Sequence, residues 1–276
     1  MQIATPTPAA APAGAPECLN CAVPLLGSFC TSCGQRAATL ERVTFRALWT
    51  DFRVAQLGLD RGFFVTLRDV VVRPGVVALA FAEGRRRRYV HPVAFLFLAY
   101  GLYAVSFNLL EEPMLAAMRA VFQEQVTDPS MTPAQRDAMV EGGISATRFS
   151  VAYGPYLSIF SVLPFAGLLR MFLPRGGRTV AECAVFALTT EAAFAVVSGL
   201  VTNPLVAWTG ALGLSPFSFC FYFVFTALGA AVFFDRRPRT VLRALAAQAF
   251  ALALYLLVIG VASAAYGVAI GARMLG

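Results

Sequence analysis

Five apolar segments, each about as long as a bilayer-crossing helix, account for most of the chain after residue 91. They cover residues 92–110, 149–173, 179–203, 216–234 and 241–270. A helix needs about 20 apolar residues to cross the hydrocarbon core of a membrane. The mean hydropathy of +0.70 and the 13% of charged residues lie outside the range of soluble globular domains. The sequence therefore predicts an all-α integral membrane protein with five transmembrane helices.

Arginines cluster in the connections on one side of these five segments. The clusters are Arg85, Arg86, Arg87 and Arg88; Arg170, Arg175 and Arg178; and Arg236, Arg237, Arg239 and Arg243. The loop 111–148, on the other side, has six acidic residues and three arginines. Because arginine-rich loops stay in the cytoplasm, this bias predicts a bacterial inner-membrane protein with a cytoplasmic N-terminus, a periplasmic loop 111–148 and a periplasmic C-terminus. Topology and lipid head groups account for the net charge of +7, so nucleic acid is not an expected partner.

Helix start signals occur twice along this membrane domain, which is predicted to cover residues 92–272. Thr132, followed by a proline and then Gln135, is typical of a capping box that starts a helix in the periplasmic loop. The Gly142-Gly143 pair is predicted to end that helix. Thr179 and Glu182 form a second capping-box pattern at the start of the third span. The loop 111–148 is therefore predicted to be helical.

Four cysteines form two C-x-x-C pairs separated by eight residues: Cys18, Cys21, Cys30 and Cys33. This spacing allows four thiolates to bind one Zn²⁺ tetrahedrally, and a zinc ribbon is predicted over residues 17–36. The alternatives are two disulfides or free thiols, but a cytosolic location disfavours disulfides. Four protein ligands leave no open coordination position, so the zinc would be structural. The preceding residues 1–16, rich in Ala, Pro and Thr, are predicted to be a disordered lead-in.

Two interpretations are open for the region 40–83, which joins the cysteines to the first span. Its apolar stretches are short and flanked by arginines, as in amphipathic helices that lie in the plane of the lipid head groups. The alternative is a small cytosolic helical domain that packs the same apolar faces inward.

Two candidate functional sites emerge from the membrane domain and its border. Glu191 is the one carboxylate near the middle of a predicted span, where an ionisable group indicates a functional site. It could carry a proton, bind a cationic substrate or pair with an arginine; the structural alternative is a protonated carboxyl hydrogen-bonded between helices. At the membrane border, Arg85, Arg86, Arg87, Arg88, Tyr89 and His91 form a topogenic anchor or a site for an anionic lipid or phosphate group.

The order of these motifs resembles a bacterial multi-pass membrane family of unknown function. The resemblance extends over about residues 18–100. It rests on the pattern C-x-x-C…C-x-x-C-G-Q, on Leu59-Asp60-Arg61-Gly62 followed by Thr66-Leu67, on Arg73-Pro74-Gly75, and on the spacing Gly84-x-Arg86-x-x-Tyr89-x-x-Pro92. It implies an inner-membrane protein with a cytosolic zinc ribbon and no particular activity.

Three functions are compatible with these patterns. The leading hypothesis is a non-enzymatic adaptor whose zinc ribbon and interfacial helices dock a protein partner or a membrane complex. The second is a transporter or lipid-handling protein that uses Glu191 and the cytoplasmic arginines, in which case five spans would favour an oligomer. The third is a membrane enzyme acting on a lipid-linked substrate. No sequence motif for catalysis is recognisable, so a non-enzymatic role is favoured.

Overall fold

The computed structural model describes residues 15–37, 43–54, 61–126, 129–173, 177–210 and 215–275. In this part of the chain the regular elements are helices, and the head (residues 15–37) adds two isolated bridges, Glu17 with Pro24 and Phe29 with Arg36. The helices are α1 (Phe45–Val54), α2 (Arg61–Val72), α3 (Val76–Ala82), α4 (Pro92–Leu109), α5 (Glu111–Gln125), α6 (Pro133–Phe172), α7 (Val180–Val197), a π-helical turn (Ser198–Thr202), α8 (Asn203–Thr209), α9 (Ser215–Phe233) and α10 (Pro238–Leu275). The predicted lead-in lies almost entirely outside the described residues.

Helix length and composition indicate a membrane protein. Three helical stretches are long and apolar enough to cross a bilayer by themselves: Pro92–Leu109, Val180–Thr209 and Pro238–Arg273. The two halves of α6, which meet at a bend of 52°, form a fourth candidate if they are one span. In α9 the described apolar helix, Cys220–Phe233, is shorter. The all-α membrane class is confirmed, whereas five crossings remain a prediction beside these three or four candidates.

The helix that begins at Pro133 does not end at Gly142 and Gly143, and the predicted stop there is wrong. It continues to Phe172 as α6. A Cβ atom on Gly142 would lie 2.9 Å from the carbonyl oxygen of Gly267 in α10. Glycine costs a helix about 1 kcal/mol relative to alanine, so its presence here is explained by the close approach of two helix backbones and not by termination.

Both predicted capping boxes are confirmed, at Thr132 with Gln135 and at Thr179 with Glu182. The helix that starts at Thr179 extends beyond its predicted end at residue 203, because the π-helical turn and α8 continue it. Residues 204–209, which lie between the third and fourth predicted spans, are therefore helical.

The helices α2 and α3 pack directly on the membrane bundle. At the turn between them Gly75 has a φ of +82°, a value that glycine adopts without strain. A Cβ atom there would lie 2.9 Å from the Cα of Gly229 in α9. Val77 and Phe81 of α3 are buried in the same hydrophobic core as Phe186 of α7. Region 40–83 therefore shares one core with the membrane helices as far as it is described.

The arginine-rich connections come together at one end of the bundle. Arg178, at the start of α7, donates from Nη2 to the carbonyl oxygen of Phe233 at the end of α9, at 3.1 Å. The run 85–88 follows α3, which contacts α9 near Gly229. At the opposite end Arg148 of α6 pairs with Glu111 of α5, with 3.0 Å between Nη2 and Oε1. The arginine-rich and acidic segments thus mark two ends of one fold.

Candidate functional site

The four cysteines of the head converge on one point. The Sγ atoms of Cys18 and Cys33 lie 3.6 Å apart, those of Cys21 and Cys30 lie 3.5 Å apart, and all four lie within 4.8 Å of one another. Tetrahedral zinc with bonds of about 2.3 Å would place its sulfurs about 3.8 Å apart. These four residues can therefore hold a metal ion of that size and coordination.

The two C-x-x-C turns have the same backbone geometry, which explains why their thiols meet. Ala22 N–H donates to the carbonyl of Cys18 at 2.8 Å, and Gly34 N–H donates to that of Cys30 at 2.9 Å. Both Ala22 and Gly34 have positive φ values. Backbone N–H groups, first that of Cys33, lower the pKa of the Cys30 thiol to about 6. The turn therefore favours the thiolate, the form that binds a metal, at Cys30, whereas burial raises the pKa of the Cys33 thiol to about 12.

Gln35 fastens this cluster to the arginine run. Its side chain is buried, and Nε2 donates to the carbonyl oxygen of Gly84 at 2.8 Å. Its Oε1 accepts from the backbone N–H groups of Arg86 at 3.1 Å and Arg87 at 3.3 Å. Arg87 also donates from Nε to the carbonyl oxygen of Cys33, at 3.1 Å. The cysteine turn and the run 85–88 therefore form one structural unit.

The six residues predicted to contact an anionic group fall into two sets. Arg85, Arg87 and Arg88 have exposed side chains. The side chain of Arg86 is only 8% exposed and pairs with Asp51, with 2.9 Å between Nη1 and Oδ2. Tyr89 and His91 are also buried. A head-group contact therefore remains a hypothesis for the three exposed arginines only, because the other three side chains face the protein interior.

His91 lies between two aromatic rings at the border of α4. Its ring centroid is 5.9 Å from that of Phe52 and 5.4 Å from that of Phe81. Burial lowers the pKa of His91 to about 4. The imidazole therefore stays neutral at physiological pH, and it packs against the two rings in a tilted and an edge-to-face arrangement.

Asp69, which the sequence did not single out, is fully buried on α2. Arg68 donates to its Oδ1 at 2.7 Å and Tyr89 donates to its Oδ2 at 3.1 Å. Burial opposes the charged form, but these hydrogen bonds and the nearby arginine charges outweigh it and hold the pKa of Asp69 below its usual range. The Tyr89 hydroxyl therefore connects the arginine run to α2.

Glu191 lies near the middle of α7 and is 8% exposed. Its Oε1 accepts from the hydroxyl of Tyr222 in α9. The hydroxyl of Ser161 in α6 lies 3.5 Å from the same oxygen but donates its one hydrogen to the carbonyl oxygen of Ser158 at 2.6 Å. Its Oε2 accepts from the hydroxyl of Tyr100 in α4 at 3.4 Å. Ser158 of α6 in turn donates to Tyr100. Hydroxyl groups from three neighbouring helices thus converge on one carboxylate.

A cavity of about 400 Å³ adjoins this carboxylate. Its walls come from α4, α6, α7, α9 and α10, and its polar lining residues are Tyr100, Tyr103, Ser150, Ser158, Ser161, Glu191, Tyr222, Gln248, Tyr255 and Ser263. Among the described residues no basic side chain lines it, so the predicted alternative of an Arg partner for Glu191 has no counterpart there. The cavity therefore combines one carboxylate and several hydroxyl groups with a largely apolar wall.

The hydroxyl-bearing neighbours of Glu191 are the functional residues that the sequence did not reveal. Tyr100, Tyr222 and Ser161 lie in separate apolar segments, and single uncharged residues there are ordinary. Helical periodicity gives the face on which a residue lies but not the helix that this face meets. The weak signal available was that Glu191 needed hydrogen-bond partners at that depth.

Residues 60–104 match a family model described as a protein of unknown function, DUF3667. This stretch contains Arg73-Pro74-Gly75 and the spacing from Gly84 to Pro92, whereas the four cysteines lie outside it. No curated protein and no solved structure matches the chain. Over that segment, which includes α2, α3 and most of α4, the chain is similar to this family of unknown function.

Proposed function

We propose that the chain is a multi-pass membrane protein that binds a cation in the cavity at Glu191, as a transporter or lipid-handling protein. The observation that carries the proposal is a buried carboxylate beside a cavity of about 400 Å³, with no basic residue in the described lining. A cationic group bound in that cavity would supply the positive charge that the described lining residues lack.

Hydrogen bonding supports a charged Glu191 with room for one more partner. An ionised carboxylate has about four lone-pair sites. Among the described residues, the hydroxyl groups of Tyr222 and Tyr100 donate to Glu191, one to each oxygen, whereas Ser161 donates to the carbonyl oxygen of Ser158. A proton or an organic ammonium ion could take a remaining position.

The proposal also covers the cysteine cluster and the orientation of the chain in the membrane. We propose zinc as the metal of the cysteine cluster, held by Cys18, Cys21, Cys30 and Cys33. The proposed orientation places the arginine-rich end in the cytoplasm of a bacterial inner membrane, with five crossings, and Arg85, Arg87 and Arg88 near lipid phosphates. The adaptor role and the membrane-enzyme role stay predictions.

Binding of tetraethylammonium tests the proposal. The full chain in lipid nanodiscs is titrated by isothermal calorimetry, and its affinity is measured over a range of pH. We expect binding that weakens at low pH, because a proton and the ammonium ion compete for the same carboxylate. The Glu191→Gln variant should bind at least about tenfold more weakly, since a close charge pair contributes more than 1.4 kcal/mol in a desolvated site.

Thr190→Val is the matched control. Thr190 precedes Glu191 on α7, is buried, and its hydroxyl donates to the carbonyl oxygen of Phe186, but it does not line the cavity. This variant should bind as the unsubstituted chain does. No binding by the unsubstituted chain, or equal affinity in Glu191→Gln, would refute the proposal.

A further inference from the structure

A second, larger cavity extends from the Glu191 cavity toward the opposite end of the bundle from the arginines. It has a volume of about 890 Å³ and lies between α6 and α10, with Phe122 of α5 at one wall. Its apolar lining includes Met131, Met139 and Val268. None of its described lining residues is charged. We refer to it as the apolar groove.

The apolar groove and the Glu191 cavity share two wall residues. Ser150 of α6 and Ser263 of α10 line both, so the two spaces adjoin there. From Ser150 the groove follows α6 back to Ala138, a distance of about 18 Å at a rise of about 1.5 Å per residue. Glu191 lies at the far end of its own cavity from this junction, because its neighbour Ser161 is eleven residues from Ser150, about 16 Å along α6. The carboxylate and the apolar groove are therefore connected through the Glu191 cavity.

The connection between the Glu191 cavity and the apolar groove indicates the class of ligand. This inference rests on the proposed cation site. We infer that the site binds an amphiphile with a single cationic head and an unbranched apolar chain. The head would pair with Glu191, and the chain would pass through the Glu191 cavity and end in the apolar groove. The charge of the carboxylate selects a cation over an anionic or neutral head, and the apolar groove gives its chain a surface with no described charged group.

The two parts of the ligand can be tested separately with n-alkyltrimethylammonium ions of one to fourteen chain carbons, because the chain must cross about 16 Å from Glu191 to enter the groove. The full chain is held in nanodiscs, and free aqueous probe is measured by equilibrium dialysis. Each added methylene group should raise the affinity about three- to fourfold, the usual gain for burying one such group away from water. Octyl sulfate and octanol serve as the anionic and neutral probes and should bind at least about tenfold more weakly than the octyl ammonium ion.

Two variants of α10 separate the groove from the lipid-facing surface. Ala264 and Ala265 are both exposed, but only Ala264 lines the groove, and Ala265 lines neither cavity. Ala264→Phe should remove the gain from the terminal carbons of the longest chains, which are the carbons that enter the groove, and leave tetramethylammonium binding unchanged. Ala265→Phe should change neither. Glu191→Gln should weaken every ammonium probe by the same factor and preserve the gain per methylene group.

The outcomes distinguish the two proposals. Tetramethylammonium binding that depends on Glu191, with no gain from longer chains or no effect of Ala264→Phe, would overturn the amphiphile inference and leave the cation site standing. Binding of octanol as tight as that of the octyl ammonium ion, unaffected by Glu191→Gln, would overturn both. The absence of binding by any ammonium probe would also overturn both.

Discussion

Replacing Arg86 by alanine should destabilise the protein far more than replacing its neighbour Arg85, although each change removes one positive charge from the same run. The guanidinium of Arg86 is 8% exposed, lies 2.9 Å from Asp51 Oδ2 and stands over the Phe81 ring at 5.5 Å from its centroid. Arg85 is 49% exposed and pairs with Glu83, which is itself 44% exposed. The two arginines therefore share a charge but not an environment.

The size of the difference follows from burial. Breaking a buried ion pair costs about 3–5 kcal/mol, and the lower end applies here because Asp51 is 20% exposed and keeps Arg36 as a second partner. An exposed pair contributes about 0–1 kcal/mol. We therefore expect Arg86→Ala to lower the free energy of unfolding by about 3 kcal/mol and Arg85→Ala by less than about 1 kcal/mol.

Thermal unfolding in detergent measures this difference. For a chain of this size each kcal/mol shifts Tm by about 2–4 °C, so Arg86→Ala should melt about 6–12 °C lower than the unsubstituted protein. Arg85→Ala should melt within about 3 °C of it. Equal Tm values for the two variants would refute the reasoning and would mean that the run acts through its charge alone.

Two further predictions concern the cysteine cluster of the head and His91 at the start of α4. Serine in place of any one of Cys18, Cys21, Cys30 or Cys33 should abolish bound zinc and speed tryptic cleavage at Arg87, because the metal holds the turn that Gln35 and Cys33 connect to the run. The control variant Cys220→Ser should retain the metal. Unsubstituted protein without bound metal would contradict this prediction. Because His91 has a pKa of about 4 in the folded state and an ordinary value of about 6.5 when unfolded, the unfolded chain binds the extra proton between these values. The free energy of unfolding should therefore fall as pH drops from about 6.5 to about 4, by up to about 1.4 kcal/mol per pH unit, and His91→Phe should remove that part of the pH dependence; parallel pH profiles for the two proteins would contradict the assignment.

The sequence was sufficient where one local pattern determines one local structure. Both capping boxes occur as predicted, and the four cysteines meet as their spacing indicates. It was insufficient where a residue serves a distant contact. Gly142 has the same local signal whether it ends a helix or allows Gly267 to approach, and only the position of α10 distinguishes the two. The role of Asp69 was hidden for the same reason, because its partner Tyr89 lies 20 residues farther along the chain.

The signature spacing and the exposed arginines can now be assigned different physical roles. Gly84, Arg86 and Tyr89 belong to the spacing. Each contacts a distant part of the chain: Gln35 of the head, Asp51 of α1 and Asp69 of α2, respectively. Arg85, Arg87 and Arg88 fall between those positions, and their side chains are exposed. Charge alone would be satisfied by any basic residue at the exposed positions, whereas a planar guanidinium that pairs and stacks at position 86 is not replaced by lysine. A requirement for arginine specifically should therefore be strongest at Arg86, with a weaker one at Arg87, whose Nε donates to the carbonyl oxygen of Cys33.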